Sequence, residues 1–224
     1  MTENRTDNRI HNSKLLTAIM IIAVIVYILT SSIAFPILCK PFYYAQIDNL
    51  QLEERSGFSR TQIELAYSEV IDYCIGARPD FAVGGLNYSE AGKDHFKDCR
   101  KLFILDLGLF AVSSLIIIGW LIIRNFTSLR CARLKGHGPG FWGAIIELAT
   151  FVLIGGLGSI NFDKTFVIFH SIFFPGKTNW IFDTAVDVVI NILPEVFFMR
   201  CAIVIVALII IQSGIFIAID RKHF

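Results

Sequence analysis

A histidine between two carboxylates, beside a long apolar run, is the first place in this chain where chemistry is available. His95 stands in Asn87–Phe103, NYSEAGKDHFKDCRKLF, flanked by Asp94 and Asp98. An imidazole with an ordinary pKa near 6.5 suits proton transfer around neutrality. Ser89 is a good N-cap, and Glu90 suits the positive end of a helix dipole. A helix starting there lines up Glu90, Asp94 and Asp98 at i, i+4 spacing. It also sets His95 about one turn from Asp98 and Cys99. A solvated helix that merely anchors a span would carry the same residues. A second histidine, His170, lies among Phe166, Phe169, Phe173 and Phe174. Alone it reads as an interfacial structural residue; with His95 at the same membrane surface it becomes half of a two-histidine site. His11, His137 and His223 fall in tails or a Gly/Pro loop, and no special role is expected for them.

The elements that must position these residues are membrane spans. The 224 residues are 54% hydrophobic, with 20 Phe, and mean hydropathy is +0.62. That apolarity is gathered in long runs rather than spread through a soluble core. Four spans are expected, at about 15–38, 102–123, 141–160 and 197–219, in a single membrane domain covering 1–224. The first is longer than a signal peptide's apolar region of roughly 7–15 residues, so it reads as retained. Basic residues cluster at the N-terminus (Arg5, Arg9, Lys14), in the 124–140 loop (Arg124, Arg130, Arg133, Lys135) and at the C-terminus (Arg221, Lys222). The positive-inside rule puts all three on the cytoplasmic side. Both termini are then cytoplasmic, and segments 39–101 and 161–196 face outside.

The fold class is therefore an all-α membrane protein of four transmembrane helices, with two extracellular helical segments packed at the outer membrane interface. In the first outer segment, Lys40–Tyr44 reads as an aromatic exit loop. Thr61–Ile75 has the apolar period of an amphipathic helix, and Arg78-Pro79 and Gly84-Gly85 break the chain beyond it. The second outer segment is rich in Phe and Ile, yet no piece of it is long enough to span. It predicts two short amphipathic helices in the interface, with Trp180 at headgroup level, ending at Pro194-Glu195.

Other chemistry is thinly signalled. Net charge is +1, which offers no field for nucleic acid. No Walker loop, GxGxxG, GxSxG or HExxH is present. Five cysteines (39, 74, 99, 131, 201) lack metal spacing, and although a Cys74–Cys99 disulfide is sterically open, no disulfide framework is indicated. His95, Asp98, His170 and Asp183 or Asp187 supply metal-type ligands without metal-type spacing, so neither metal nor cofactor is expected. Asp106, one turn inside the second span, is an intramembrane carboxylate and hence a site candidate. It is placed to pair with Arg200. Glu147 falls near the cytoplasmic end of its span and is excluded. Arg100, Lys101 and Arg200 suit either lipid phosphates or snorkelling anchors.

Two stretches carry a resemblance. SEAGKDHFKDCRKLF resembles the Glu-x4-His-x2-Asp-x4-Phe stretch before the second span of a bacterial four-span membrane-protein family. FHSIFFPGKTNWIFDTAVDVVINILPEVFF resembles that family's second outer segment: Phe-His-x2-Phe-Phe, Trp-x-Phe-Asp and Leu-Pro-Glu-x-Phe-Phe. Tyr67-Ser68 and Tyr73 also fit, and the likeness covers essentially the whole chain. The family is that of the lipoprotein intramolecular transacylases of low-GC Gram-positive bacteria. It implies an enzyme that moves the sn-2 acyl chain of a lipoprotein's diacylglyceryl group to the α-amine of its N-terminal Cys, leaving the lyso-form lipoprotein. On that reading His95 is the base, oriented by Asp98 or Asp94. His170 then donates to the oxyanion or the leaving oxygen, with the two roles open to exchange. Acyl chains lie against Phe169, Phe173, Phe174 and Trp180, and Asp94, Asp106 and Arg200 complete the substrate-binding set. The expected partners are the diacylglyceryl-modified lipoprotein and membrane lipid. A receptor or transport accessory subunit, and another acyltransferase or lipase at the same leaflet, stand as the competing readings.

Overall fold

The computed structural model describes residues 11–158 and 161–223. Arg5 and Arg9 of the N-terminal basic cluster, the side chains of Arg221 and Lys222, and the end of the third expected span at 159–160 lie outside the described residues.

The chain is a helical membrane protein. Three of its helices are long and apolar enough to cross a bilayer: α1 (Lys14–Leu38), α5 (Glu90–Ile123) and α8 (Glu195–His223). A fourth apolar helix, α6 (Pro139–Gly158), packs with α1 and α8. Each start has a local cause. Ser13 caps α1 by accepting from Leu16 N–H, and Ser89 caps α5 by accepting from Gly92 N–H. In the bundle interior Val24 and Ile28 of α1 meet Ala144 of α6 and Ile209 of α8. Large aliphatics on the outward faces, such as Leu115, Ile122, Val152 and Ile211, stay exposed. That suits lipid, where exposed apolar surface costs nothing. A short parallel pair, β1 (His11–Ser13) with β2 (Leu129–Cys131), ties the start of α1 to the loop after α5. Nothing in the sequence pattern foretold it.

Helix α5 is the element that matters most for the site. At 34 residues it runs roughly 51 Å, well beyond a hydrocarbon core of about 30 Å. The apolar run over 102–123 suffices to cross, so the polar first turns, 90–101, project past it as one unbroken helix.

Between α1 and α5 the chain folds into an aromatic cap of α2 (Lys40–Tyr44), α3 (Leu52–Ser56) and α4 (Arg60–Cys74). Helix α4 lies where the apolar period predicted one, and Ser59 and Gln62 close it with a capping box. Tyr43 and Tyr67 stack at 3.7 Å, with Phe197 of α8 edge-on at 5.1 Å from Tyr43. The Tyr43 hydroxyl donates to the Ile192 carbonyl at 2.6 Å. Arg100 donates to the carbonyls of Tyr73 and Arg78 and lies over the Tyr73 ring. It therefore locks α4 to α5, a use that its place in the chain does not disclose.

The segment after α6 departs from expectation. One α-helix, α7 (Phe162–Phe173), forms where two short helices were predicted; Val188–Asn191 makes only a 3-10 turn. Pro175 lacks the N–H that a continuing helix needs, and Gly176 turns the chain at φ +73°. The stretch from Phe174 to Asp187 then runs irregularly back across the polar end of α5.

Candidate active site

That return path builds a chamber. His95 on α5 and His170 on α7 are both buried, and their ring centroids lie 5.8 Å apart. Phe174 stands edge-on to His95 at 5.0 Å and 5.7 Å from His170. Phe182 closes the other side of His95 at 5.4 Å, while Trp180 lies 4.7 Å from His170 and Phe166 4.2 Å. Two residues remote in sequence thus face each other inside an aromatic wall.

The hydrogen bonds around the rings fix much of their chemistry. His170 Nδ1 lies 2.7 Å from the Phe166 carbonyl. A carbonyl only accepts, so Nδ1 carries the proton, and the neutral ring keeps its lone pair on Nε2. His95 Nε2 lies 3.4 Å from Cys99 Sγ, and His95 Nδ1 is buried without a partner. Burial, reinforced by His170, pushes His95 down to about 4, and burial lowers His170 as well. Both rings are therefore neutral at physiological pH. Burial, with Cys74 and Asp98 nearby, pushes the Cys99 thiol well above its usual range, so it remains S–H. All five cysteines are free, Cys74 and Cys99 included.

Asp98 does not orient His95. Its carboxylate takes Lys101 at 3.0 Å, Asn179 at 3.3 Å and Lys177. Burial alone would raise this group, but those three partners pull it down to about 2. Among the described residues it makes no hydrogen bond to His95. Its work is to fasten the 176–180 turn onto α5, and Trp180 reinforces that turn by donating to the Lys177 carbonyl at 3.0 Å. Asp94 is exposed and does not reach His95 either.

Asp187 secures the other edge. It accepts from Ser89 N–H at 2.7 Å and from the Ser89 hydroxyl at 3.0 Å. Gly92 admits this approach, because a Cβ there would overlap the Asp187 carboxylate and stand 3.2 Å from Phe182. The start of α5 and the chamber wall are thereby held in register.

The remaining candidates scatter. Phe174 is buried against the rings, whereas Phe169 and Phe173 lie tilted against each other and about half exposed, with Phe169 also edge-on to His170 at 5.5 Å. Asp106 lies three turns along α5 from His95, roughly 16 Å away. It makes no ion pair with Arg200, which donates instead to Gln46 at 3.4 Å. Phe166, beside His170 in sequence, and Cys99 join the site, and Phe182, Lys177 and Asn179 enter it without having been singled out. Only Cys99, at i+4 from His95, was legible from spacing. Among the described residues no group of His, Cys, Asp and Glu is arranged to hold a metal ion.

Comparison with known proteins fits this architecture. The family model described as lipoprotein intramolecular transacylase Lit matches residues 18–198. A structure of the membrane-integral lipoprotein intramolecular transacylase Lit from Bacillus cereus superposes with a TM-score of 0.81 at 24% identity, covering 93% of this chain and 94% of that one. Two structures of that protein with a histidine replaced, by arginine or by alanine, superpose with a TM-score of 0.76 at 23% identity, each covering 93% of this chain. They are covered over 90% and 91% of their own lengths. At such identity the structural likeness speaks for the fold. No curated protein matches the sequence.

Proposed function

The chain belongs to the lipoprotein intramolecular transacylase family, and its activity is acyl transfer within a lipoprotein; from that premise we propose that the His95–His170 chamber is where the transfer occurs. The acyl group leaves the sn-2 oxygen of the diacylglyceryl moiety and joins the α-amine of the N-terminal Cys. The observation that carries this reading is the pair of buried neutral imidazoles at 5.8 Å, one of which has a ring nitrogen with no partner.

Ester and amine sit on one molecule, so orientation supplies most of what catalysis needs. The neutral amine attacks the ester carbonyl, and a C–N bond forms. His170 accepts the amine proton at Nε2, the nitrogen its bond to Phe166 leaves free. Cys99 donates its S–H to His95 Nε2, which places the His95 proton on the unpartnered Nδ1, and that N–H meets the developing oxyanion. As the C–O bond breaks, His170 returns the proton to the glycerol oxygen. No net proton is gained or lost. The hydrogen bonds thus favour His170 as base and His95 as donor, the reverse of the order expected from sequence. Phe174, with Phe182 and Trp180, excludes water from the reacting atoms, and Phe169 and Phe173 extend an apolar surface for acyl chains on the far side of α7. Asp106 and Arg200 then bear on lipid near the spans rather than on the reacting atoms.

We further assign four spans in a single membrane domain, with both termini cytoplasmic and the chamber facing outward. The support is directional. Helix α5 carries His95 near one end and leads at the other into the basic 124–140 loop, which the positive-inside rule keeps in the cytoplasm. The deciding experiment is mass spectrometry of lipoprotein N-terminal peptides from bacteria expressing the protein. Wild type is expected to yield the N-acyl lyso form. His95→Ala and His170→Ala are each expected to lower it by about 10²–10⁴-fold at equal expression. Full activity in either variant removes that residue from the mechanism.

A further inference from the structure

The chamber has a polar neighbour that the reaction scheme leaves unused. A cavity of about 430 Å³ opens beside it, lined from α5 by Asp94, Lys97 and Lys101 and from the 176–180 turn by Lys177, Thr178 and Asn179. Asp98 also lines it and is held by Lys101, Lys177 and Asn179. The cavity and the chamber share both of their supports. His95 lies between Asp94 and Lys97 on α5, and the turn that carries Lys177 also carries Trp180, 4.7 Å from His170.

The charges of this cavity say what suits it. Two of its three lysines are already paired with the single carboxylate of Asp98. What remains uncommitted is mixed: the side chains of Asp94 and Lys97 make no hydrogen bond or ion pair among the described residues, and Asn179 Oδ1 is buried with no partner. A phosphate site would spend its lysines on the ligand rather than on a buried carboxylate. A polypeptide backbone presents one donor and one acceptor at nearly every residue and so calls for both kinds of group. The substrate has such a backbone, attached to the very cysteine whose amine must reach the histidines, and it has to leave the chamber towards water.

We propose that this cavity is a polypeptide-binding subsite, which takes the backbone of the residues just after the lipidated cysteine of the substrate. The assignment rests on the transacylase reading above. Asn179 Oδ1 accepts a backbone N–H, Lys97 donates to a carbonyl, and Asp98 holds the two walls at the right separation. The subsite orients the α-amine towards the histidines from outside the chamber.

The test uses purified full-length protein in neutral-lipid vesicles with two substrates: a diacylglyceryl-cysteine lipopeptide, and diacylglyceryl-cysteine amide with no polypeptide. Wild type is expected to favour the lipopeptide in kcat/KM by about tenfold, the worth of one or two hydrogen bonds. Lys97→Ala and Asn179→Ala are each expected to narrow that preference to about twofold or threefold, through KM for the lipopeptide. Lys97 is exposed on α5, so its removal leaves folding intact even where loss of Asn179 does not. No preference in wild type, or a preference untouched in Lys97→Ala, overturns the subsite. So does a loss in the variants that is equal for both substrates and arises only when phosphatidylglycerol is added, which would make the cavity a headgroup site. If wild type N-acylates neither substrate, it is the transacylase reading that falls.

Discussion

The aromatic cap and the histidine chamber are built from the same materials, clusters of Phe, Tyr and Trp with polar atoms inside, yet they treat those polar atoms in opposite ways. In the cap, the buried Tyr43 hydroxyl has its carbonyl acceptor on Ile192, and Lys40 is matched by Ser68 and Asp72. In and beside the chamber, His95 Nδ1 and Asn179 Oδ1 are buried and unmatched. An unpaired buried polar group costs about 1–3 kcal/mol. The cap avoids that cost and gains rigidity; the chamber accepts it, which on the proposed reading leaves groups free for a substrate. Asp106, Glu147 and Ser213 in the spans also hold a buried unmatched oxygen, so the contrast is between the cap and the chamber alone.

The comparison can be broken in three places. Tyr67→Ala opens the centre of the cap, where the ring is fully buried between Tyr43 and Phe197. It is expected to cost about 3–5 kcal/mol, read as a fall in thermal stability in detergent. Removing either histidine should leave that stability near wild type. A cap variant as stable as wild type would mean that the cap is no scaffold. Gly92→Ala is the intermediate case. Its methyl would displace Asp187 and Phe182, a strain of about 1–3 kcal/mol, and turnover should fall more than stability. Unchanged turnover would show that the Ser89–Asp187 tie does not set the position of His95.

The smallest effect is in pH. Burial lowers both histidines, His95 to about 4. Between that value and the unfolded value near 6.5 the unfolded chain binds more protons, so this contribution to stability is full above 6.5 and is lost as pH falls towards 4. Activity should track the substrate amine, with a pKa of about 8, on its acid limb and show no break near 6.5. A break there would mean that the rings are solvated and the chamber is wet.

Some of this was legible from the order of residues and some was not. The apolar runs, the amphipathic α4 and the cap at Ser89 arise from local periodicity and capping, which depend only on near neighbours in sequence. His95 and His170 could be named because membrane topology assigns both to one surface. The roles of Asp98 and Asp106 could not. A carboxylate one turn from a histidine looks like its partner until Lys177 and Asn179, some eighty residues on, arrive to claim it. Asp106 looked paired with Arg200 until Gln46 took the guanidinium. Phe173 and Phe174 are neighbours of identical type, yet one is half exposed and the other is buried against both histidines.

By itself, then, the sequence determined a helical membrane protein, its family, its long apolar helices and the two histidines on which the proposed site is built. These rest on transfer of apolar residues out of water and on repeats of three to four residues, both local properties. Only the tertiary structure decided that the imidazoles face each other, which carbonyl fixes the proton on His170 Nδ1, and what holds the wall in place. Those outcomes turn on hydrogen bonds and packing between α5, α7 and the irregular return from Phe174 to Asp187, whose partners are set by the folding of the chain in space.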